Sequence, residues 1–428
     1  MERRPEPSGL ADSDVTEPQS AEPEFSELRS GPDSQPEAGV PSRRRRKPRS
    51  RRRRIFRRVA LGVLAVIVVC FGWAAWSIHQ LSVQSPGEPM NVVVAEWGRD
   101  HHMGSLVAFA ENIYYNHFAT VPVGGKPTES TVIAGGATAR PTVTGAPVPT
   151  HAHLSPPPTL ISPVGSPLPM EGVWQPAGGT VDGLHAIYIT RVRPDNVHTS
   201  VLASVMWIDT KLTRAMFVPG YKEPGGPNPS NGALPKQYWP SVLANFNGGF
   251  RLQDAQGGYY YQGHMVKSLV AGKASAVISN DGSMTVGAWG RDVGMTPTTA
   301  VVEQNLSLIV DNGKSMVSGN GGGFEWGATT DGGTFAWRSA LGVRADGSLI
   351  YIGSPGLSAA TMANTLVKAG VVRAMVLDMN NWWVAGFYFD HTASGQPVCH
   401  KLDPNIAESC NRFLNPYKRQ SFQILAAP

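Results

Sequence analysis

Residues 243–250 read Leu-Ala-Asn-Phe-Asn-Gly-Gly-Phe, a short apolar run that stops on an amide and two glycines. Asn-Gly is a strong turn dipeptide, and paired glycines also let a ligand come close to bare backbone. Two other stretches break off in a comparable way. "VVRAMVLD" (371–378) reads as a buried central strand that ends on Asp378-Met379-Asn380-Asn381. "WRSALGV" (337–343) carries Arg338 behind the glycine-rich loop "GNGGGFEWGATTDGG" (319–333). Ligands gather where strands end and loops begin, so Asn247, Arg338 and Asp378 are expected to share one pocket. In it Arg338 offers a bidentate fork for an anion, the N–H groups of Gly248 and Gly249 an anion nest, and Asp378 a carboxylate. Asn305 and Asn380 are further substrate-binding candidates. Each residue alone also has a plainer role: Asp378 as a loop cap, Arg338 in an ion pair, Asn247 as a turn former, Asn305 bonded to backbone.

The texture around these stretches sets the fold class. From residue 177 to 428, short apolar runs such as "HAIYITRV" (185–192) and "RAMFV" (214–218) alternate with tight turns. Asp281-Gly282, Asn312-Gly313 and Asp346-Gly347 each sit between alternating runs and predict hairpins. One helix is marked at both ends, "SAATMANTLVKAG" (358–370), with Ser358 as N-cap and Gly370 as stop. These elements predict an α+β fold, a β-rich mixed domain with few helices.

Asn-Gly-Gly-Phe, then Arg-x-Ala-Leu-Gly-Val-x-x-Asp-Gly, then a helix ending in Gly, then a strand ending in Leu-Asp resembles the phosphodiester glycosidase domain family over roughly residues 180–425. The resemblance implies a hydrolase that frees a sugar from a sugar-1-phosphate diester, with Asn247, Arg338 and Asp378 lining the pocket. That family follows its aspartate with glycines and a serine; this chain has Met379-Asn380-Asn381-Trp382. The departure leaves a second reading open, a non-catalytic glycan-binding or exopolysaccharide-assembly module on the same fold.

The segments before the domain differ in kind. Residues 1–58 hold 15 Lys/Arg against 10 Asp/Glu, whereas the rest of the chain has 22 of each. The basic balance therefore belongs to the tail and gives no reason to expect nucleic-acid binding. Residues 1–42, rich in Pro, Ser and Glu, predict disorder. The block Arg43–Arg58 abuts "VALGVLAVIVVCFGWAAWSI" (59–78), twenty uncharged residues, about 30 Å as a helix. This predicts a transmembrane helix over 59–80, with the basic block on the cytoplasmic side against anionic lipid and everything after it outside.

Residues 90–118 predict an amphipathic helical segment, with Leu106, Val107, Ala110, Ile113 and Phe118 on a face expected to pack on protein rather than lipid. Residues 119–176, with 12 prolines, read as a linker. Cys399 and Cys410 are the two cysteines beyond the span and are expected to pair. No His/Cys cluster has metal spacing, and the sequence calls for no cofactor. The expected partner is a phosphorylated glycan or sugar phosphodiester.

Overall fold

The structure, a computed structural model, describes residues 51–84, 87–118, 120–128, 152–318, 324–327 and 335–428. The chain divides into two compact units, the first ending at Trp73 and the second running from Ala74 to Pro428. Helix α1 (Arg51–Gln84) contains a stretch, Arg53–Gln84, long and apolar enough to cross a membrane. The tail 1–50, with half of the basic block, and residues 129–151 of the expected linker lie outside the described residues.

The second unit is β-rich, with three antiparallel sheets. The largest has eight strands in the order 175–181, 184–192, 203–208, 349–357, 336–344, 371–379, 308–311 and 314–315. Its period-two alternation feeds two cores. Leu341, Tyr351, Met375 and Leu377 face the smaller sheets, while Ala340, Ile350, Ala374 and Val376 face helix packing on the other side. One five-stranded sheet runs 264–267, 259–261, 299–304, 274–279, 284–288; the other runs 397–401, 386–391, 242–247, 421–426, 213–218.

The turn chemistry operates as its residues dictate. Asn312 and Gly313 both have positive φ (48° and 69°), as a type I′ hairpin requires. The helix within 358–370 is Ala359–Lys368. Ser358 caps it in a reciprocal box with Thr361, and Gly370 (φ 80°) turns the chain into the strand Val371–Met379.

Two expectations change ahead of the first strand. The 90–118 segment is two helices, α2 (Met90–Asp100) and α3 (Gly104–His117), broken at His102, which has φ 61°. Their crossing is tight, since a Cβ on Gly98 would stand 2.8 Å from Val107 Cγ2. Of the apolar face of α3, Val107 packs against Gly98 of α2, whereas Leu106, Ala110, Ile113, Tyr114 and Phe118 are exposed. The polar face turns inward instead, because Asn112 is buried and Glu111 pairs with Arg99 of α2 at 2.6 Å. Residues 152–174, expected as linker, have no regular structure yet lie against the domain. Leu160 and Trp174 are buried, Trp174 Nε1 donates to Pro158 O at 3.1 Å, and Glu171 pairs with Arg193 at 2.7 Å.

Cys399 and Cys410 form a disulfide, with Cα atoms 5.8 Å apart, tying strand Pro397–Lys401 to the segment before the last strand. Closing a loop of this size restrains the unfolded chain by roughly 3 kcal/mol. The Cys399→Ala, Cys410→Ala double variant should therefore melt roughly 5–10 °C lower. Scanning calorimetry checks this, and reductant should shift the wild type but not the variant.

Candidate active site

The three sheets meet at the Asn-Gly-Gly turn. Strand 242–247 pairs with strand 421–426 so that Ser421 stands opposite Asn247, which brings Arg419 and Gln420 beside Gly248 and Gly249. Asp378 N donates to Gly248 O at 3.0 Å, joining the eight-stranded sheet to the turn. Glu303, on strand Thr299–Gln304 of the third sheet, accepts from Gly249 N at 3.0 Å and from Gln420 Nε2 at 2.8 Å.

This geometry answers why the strand stops on two glycines. A Cβ at position 248 would lie 2.5 Å from Gln420 Cγ and 2.9 Å from Glu303 Oε1. The glycines admit the protein's own side chains. The anion nest expected of Gly248 and Gly249 is already filled: Gly248 N donates to Gln420 O at 3.1 Å, and Gly249 N to the Glu303 carboxyl. Asn247 is likewise saturated. Its Oδ1 accepts from Tyr351 Oη (2.9 Å) and Ala385 N (3.1 Å), and its Nδ2 donates to Gly248 O (2.9 Å) and Ser339 Oγ (3.0 Å). An amide so engaged positions the junction and has no valence left for a substrate.

Arg338 is fully buried and is not among the residues that line the cavities holding Asp378. Its Nε donates to Leu357 O and its Nη1 to Trp326 O, both at 3.0 Å. The reason is strand parity. Neighbouring residues point to opposite faces, and it is Ser339 that reaches the junction, donating to Asp378 O at 2.6 Å. Arg419 supplies the guanidinium that the sequence reading assigned to Arg338, pairing with Asp378 Oδ2. Asn305 is buried beneath Gly249 and donates to Val376 O at 2.8 Å.

Asn380 does line the cavity, and it holds the turn that follows Asp378. It has φ 80°, a conformation that asparagine tolerates better than most residues. Its Oδ1 accepts from Trp382 N (2.9 Å) and Trp383 N (3.2 Å). Trp383, thus fixed, presents its ring to Arg419 (4.8 Å), Lys418 (5.0 Å) and Arg412 (5.7 Å). A ring face attracts cations, and each of these has its own carboxylate: Arg419 pairs with Asp378, Lys418 with Glu88 and Glu96 at 2.7 Å, and Arg412 with Glu408 at 3.6 Å. A sequence signal for them exists, since Lys418-Arg419-Gln420 directly precedes the apolar run "SFQIL".

Asp378, Trp383 and Arg419 separate two cavities. The outer one, about 540 Å³, is walled by α2 and α3 through Arg99, His102, Ser105 and Tyr115, and by Arg251 and Asn380 from the domain. The inner one, about 10 Å³, is bounded by Gly248, Gly249, Arg412 and Gln420. Several buried polar atoms here have no partner among the described residues: Arg412 Nε and Nη1, Arg419 Nε, Gln420 Oε1 and Glu303 Oε2. Buried polar groups of this kind are met by ordered water or by a polar ligand.

Burial sets the protonation. It pushes Asp378 up to about 6, against the pull of Arg419 and of the Met379 N–H. It pushes Glu303 up to about 7, against Gln420 and the Gly249 N–H. No group of His, Cys, Asp and Glu suited to a metal occurs among the described residues.

Residues 241–378 match the phosphodiester glycosidase family. The match begins before the Asn-Gly-Gly turn and ends on Asp378, so it holds Glu303 and Arg338 but not Arg412 or Arg419. Among solved structures, the chain is similar to the catalytic domain of zebrafish N-acetylglucosamine-1-phosphodiester alpha-N-acetylglucosaminidase auto-inhibited by its pro-peptide. That likeness has 14% identity, covers 60% of this chain and 88% of that one, and has a TM-score of 0.36. A hypothetical protein from Synechocystis is similar at 12% identity over 56% of this chain and 62% of its own, with a TM-score of 0.34. No curated protein matches the sequence.

Both raised carboxyls bind a proton in the folded state that the unfolded chain has already released. Stability should fall as pH rises, from about 4 to about 6 for Asp378 and from about 4.5 to about 7 for Glu303. Glu303→Gln keeps the acceptor for Gly249 N and removes the titration. It should flatten the decline between pH 6 and 7, a difference on the order of 1 kcal/mol. Urea unfolding at stepped pH measures it.

Proposed function

We propose that this chain is a membrane-anchored, exported hydrolase of sugar phosphodiesters in the cell envelope, with its site at Asp378. The observation that carries the reading is the pairing of Asp378, the last residue of the match to the phosphodiester glycosidases, with Arg419, which lies beyond that match, at the boundary of a polar cavity. With its carboxyl raised only to about 6, Asp378 is ionised at neutral pH. A negative charge there stabilises an oxocarbenium-like transition state at the anomeric carbon. Arg419 and Arg412, whose open N–H groups lie beside it, hold the phosphate. The leaving phosphate monoester has a second pKa of about 6 and departs with little protonation.

The smallness of the inner cavity favours a second reading, in which the site binds a phosphorylated glycan without cleaving it. One experiment separates the two. Purified full-length protein should release free sugar from a sugar-1-phosphodiester. Asp378→Asn should lower kcat at least 100-fold with little change in melting temperature. Arg419→Ala should raise KM for phosphate-bearing substrates most. Arg338→Ala should instead lower the melting temperature, because it empties a buried position. Binding by the wild type with no sugar released establishes the glycan-binding module.

Helix α1 is the proposed anchor. The basic block before it supports a cytoplasmic N-terminus with the domain outside, and Arg43–Arg58 against anionic lipid. Protease added to intact spheroplasts should digest the domain, whereas full protection would reverse the topology.

A further inference from the structure

Helix α3 is amphipathic in the reverse sense to a helix of a globular protein. Ser105, Ala108, Glu111 and Tyr115 line the outer cavity. Leu106, Phe109 and Ile113, spaced to fall along one stripe, are 63%, 60% and 39% exposed, and Phe118 at the helix end is 77% exposed. Three observations bear on what covers the stripe. Trp97 Nε1 of α2 donates to Ser77 Oγ at 3.0 Å, so the hairpin is held to the C-terminal end of α1. Only residues 85–89 join Gln84 to Met90, a reach on the order of 20 Å. The exposed parts of Leu106, Phe109, Ile113 and Phe118 amount to roughly 450 Å², short of the roughly 800 Å² per partner of a stable protein interface.

We infer that the Leu106–Phe109–Ile113 stripe lies in the interfacial layer of the membrane that α1 spans. This rests on the reading of α1 as an anchor. A lipid surface accepts a small apolar stripe with flanking aromatic rings. The opposite face of the same helix walls the cavity next to Asp378. The seat therefore holds the site at headgroup level, and the phosphodiester it receives is one presented at the membrane surface.

The test uses the full chain in liposomes, in a Cys70→Ser background that leaves the disulfide intact. An environment-sensitive fluorophore is attached at Phe109→Cys and, separately, at Ile113→Cys; Ser394→Cys, on an exposed turn of the domain, is the comparison. Flotation of the vesicles reports α1. Doxyl groups on the lipid chains should quench the labels at 109 and 113 several-fold more than the label at 394, and aqueous iodide should do the reverse. Equal iodide quenching at all three positions overturns the seat while leaving the anchor standing. Labels at 109 and 113 shielded from both quenchers, together with a cross-linked dimer, assign the stripe to a second copy and also overturn it. Failure of the protein to float removes the anchor and the seat together.

Discussion

The arrangement depends on a buried carboxyl that takes the place of a ligand. Glu303 comes from one five-stranded sheet, Gly249 from the end of a strand in the other, and Gln420 from the approach to that strand's neighbour. Asp378 N, from the eight-stranded sheet, closes the junction on Gly248 O. A carboxyl left unpaired at this depth would cost several kcal/mol, so the sheets are held at one spacing by the need to satisfy it. Because Glu303 accepts from the Gly249 N–H, that backbone donor is already used within the protein. Trp383 gathers Arg412, Lys418 and Arg419 around its ring beside the junction.

The place of the site was legible in the sequence, and its chemistry less so. Asn247-Gly248-Gly249 and the strand ending in Asp378 could be recognised because an apolar run cut off by turn or polar residues is a local signal. Which groups remain free there depends on partners from distant strands. Asn247 is consumed by Tyr351, Ser339 and Ala385, and nothing local to position 247 carries that information. The direction of the Arg338 side chain is hidden for a related reason. Its strand is buried on both faces, so no polar alternation marks the side that faces the site. Arg419 lay outside the motif, and its position follows from the pairing of the last strand with residues 242–247.

The helices before the domain show the same limit. The apolar spacing of residues 104–117 established a helix, and the structure adds that most of its apolar face turns away from the protein. Periodicity gives the existence of a face but not its direction, which is settled by what the other side meets. Here the other side meets a polar cavity.

The turn at Asn380 bears on how such sites should be compared between proteins. A glycine there would adopt the same left-handed backbone freely, and asparagine reaches it while bonding the two following N–H groups through its own side chain. The two residues differ as letters and agree as geometry. A search for this loop is better framed as a dihedral signature followed by an aromatic anchor than as a run of glycines, since relatives that have exchanged flexibility for an internal brace will carry the shape without the spelling.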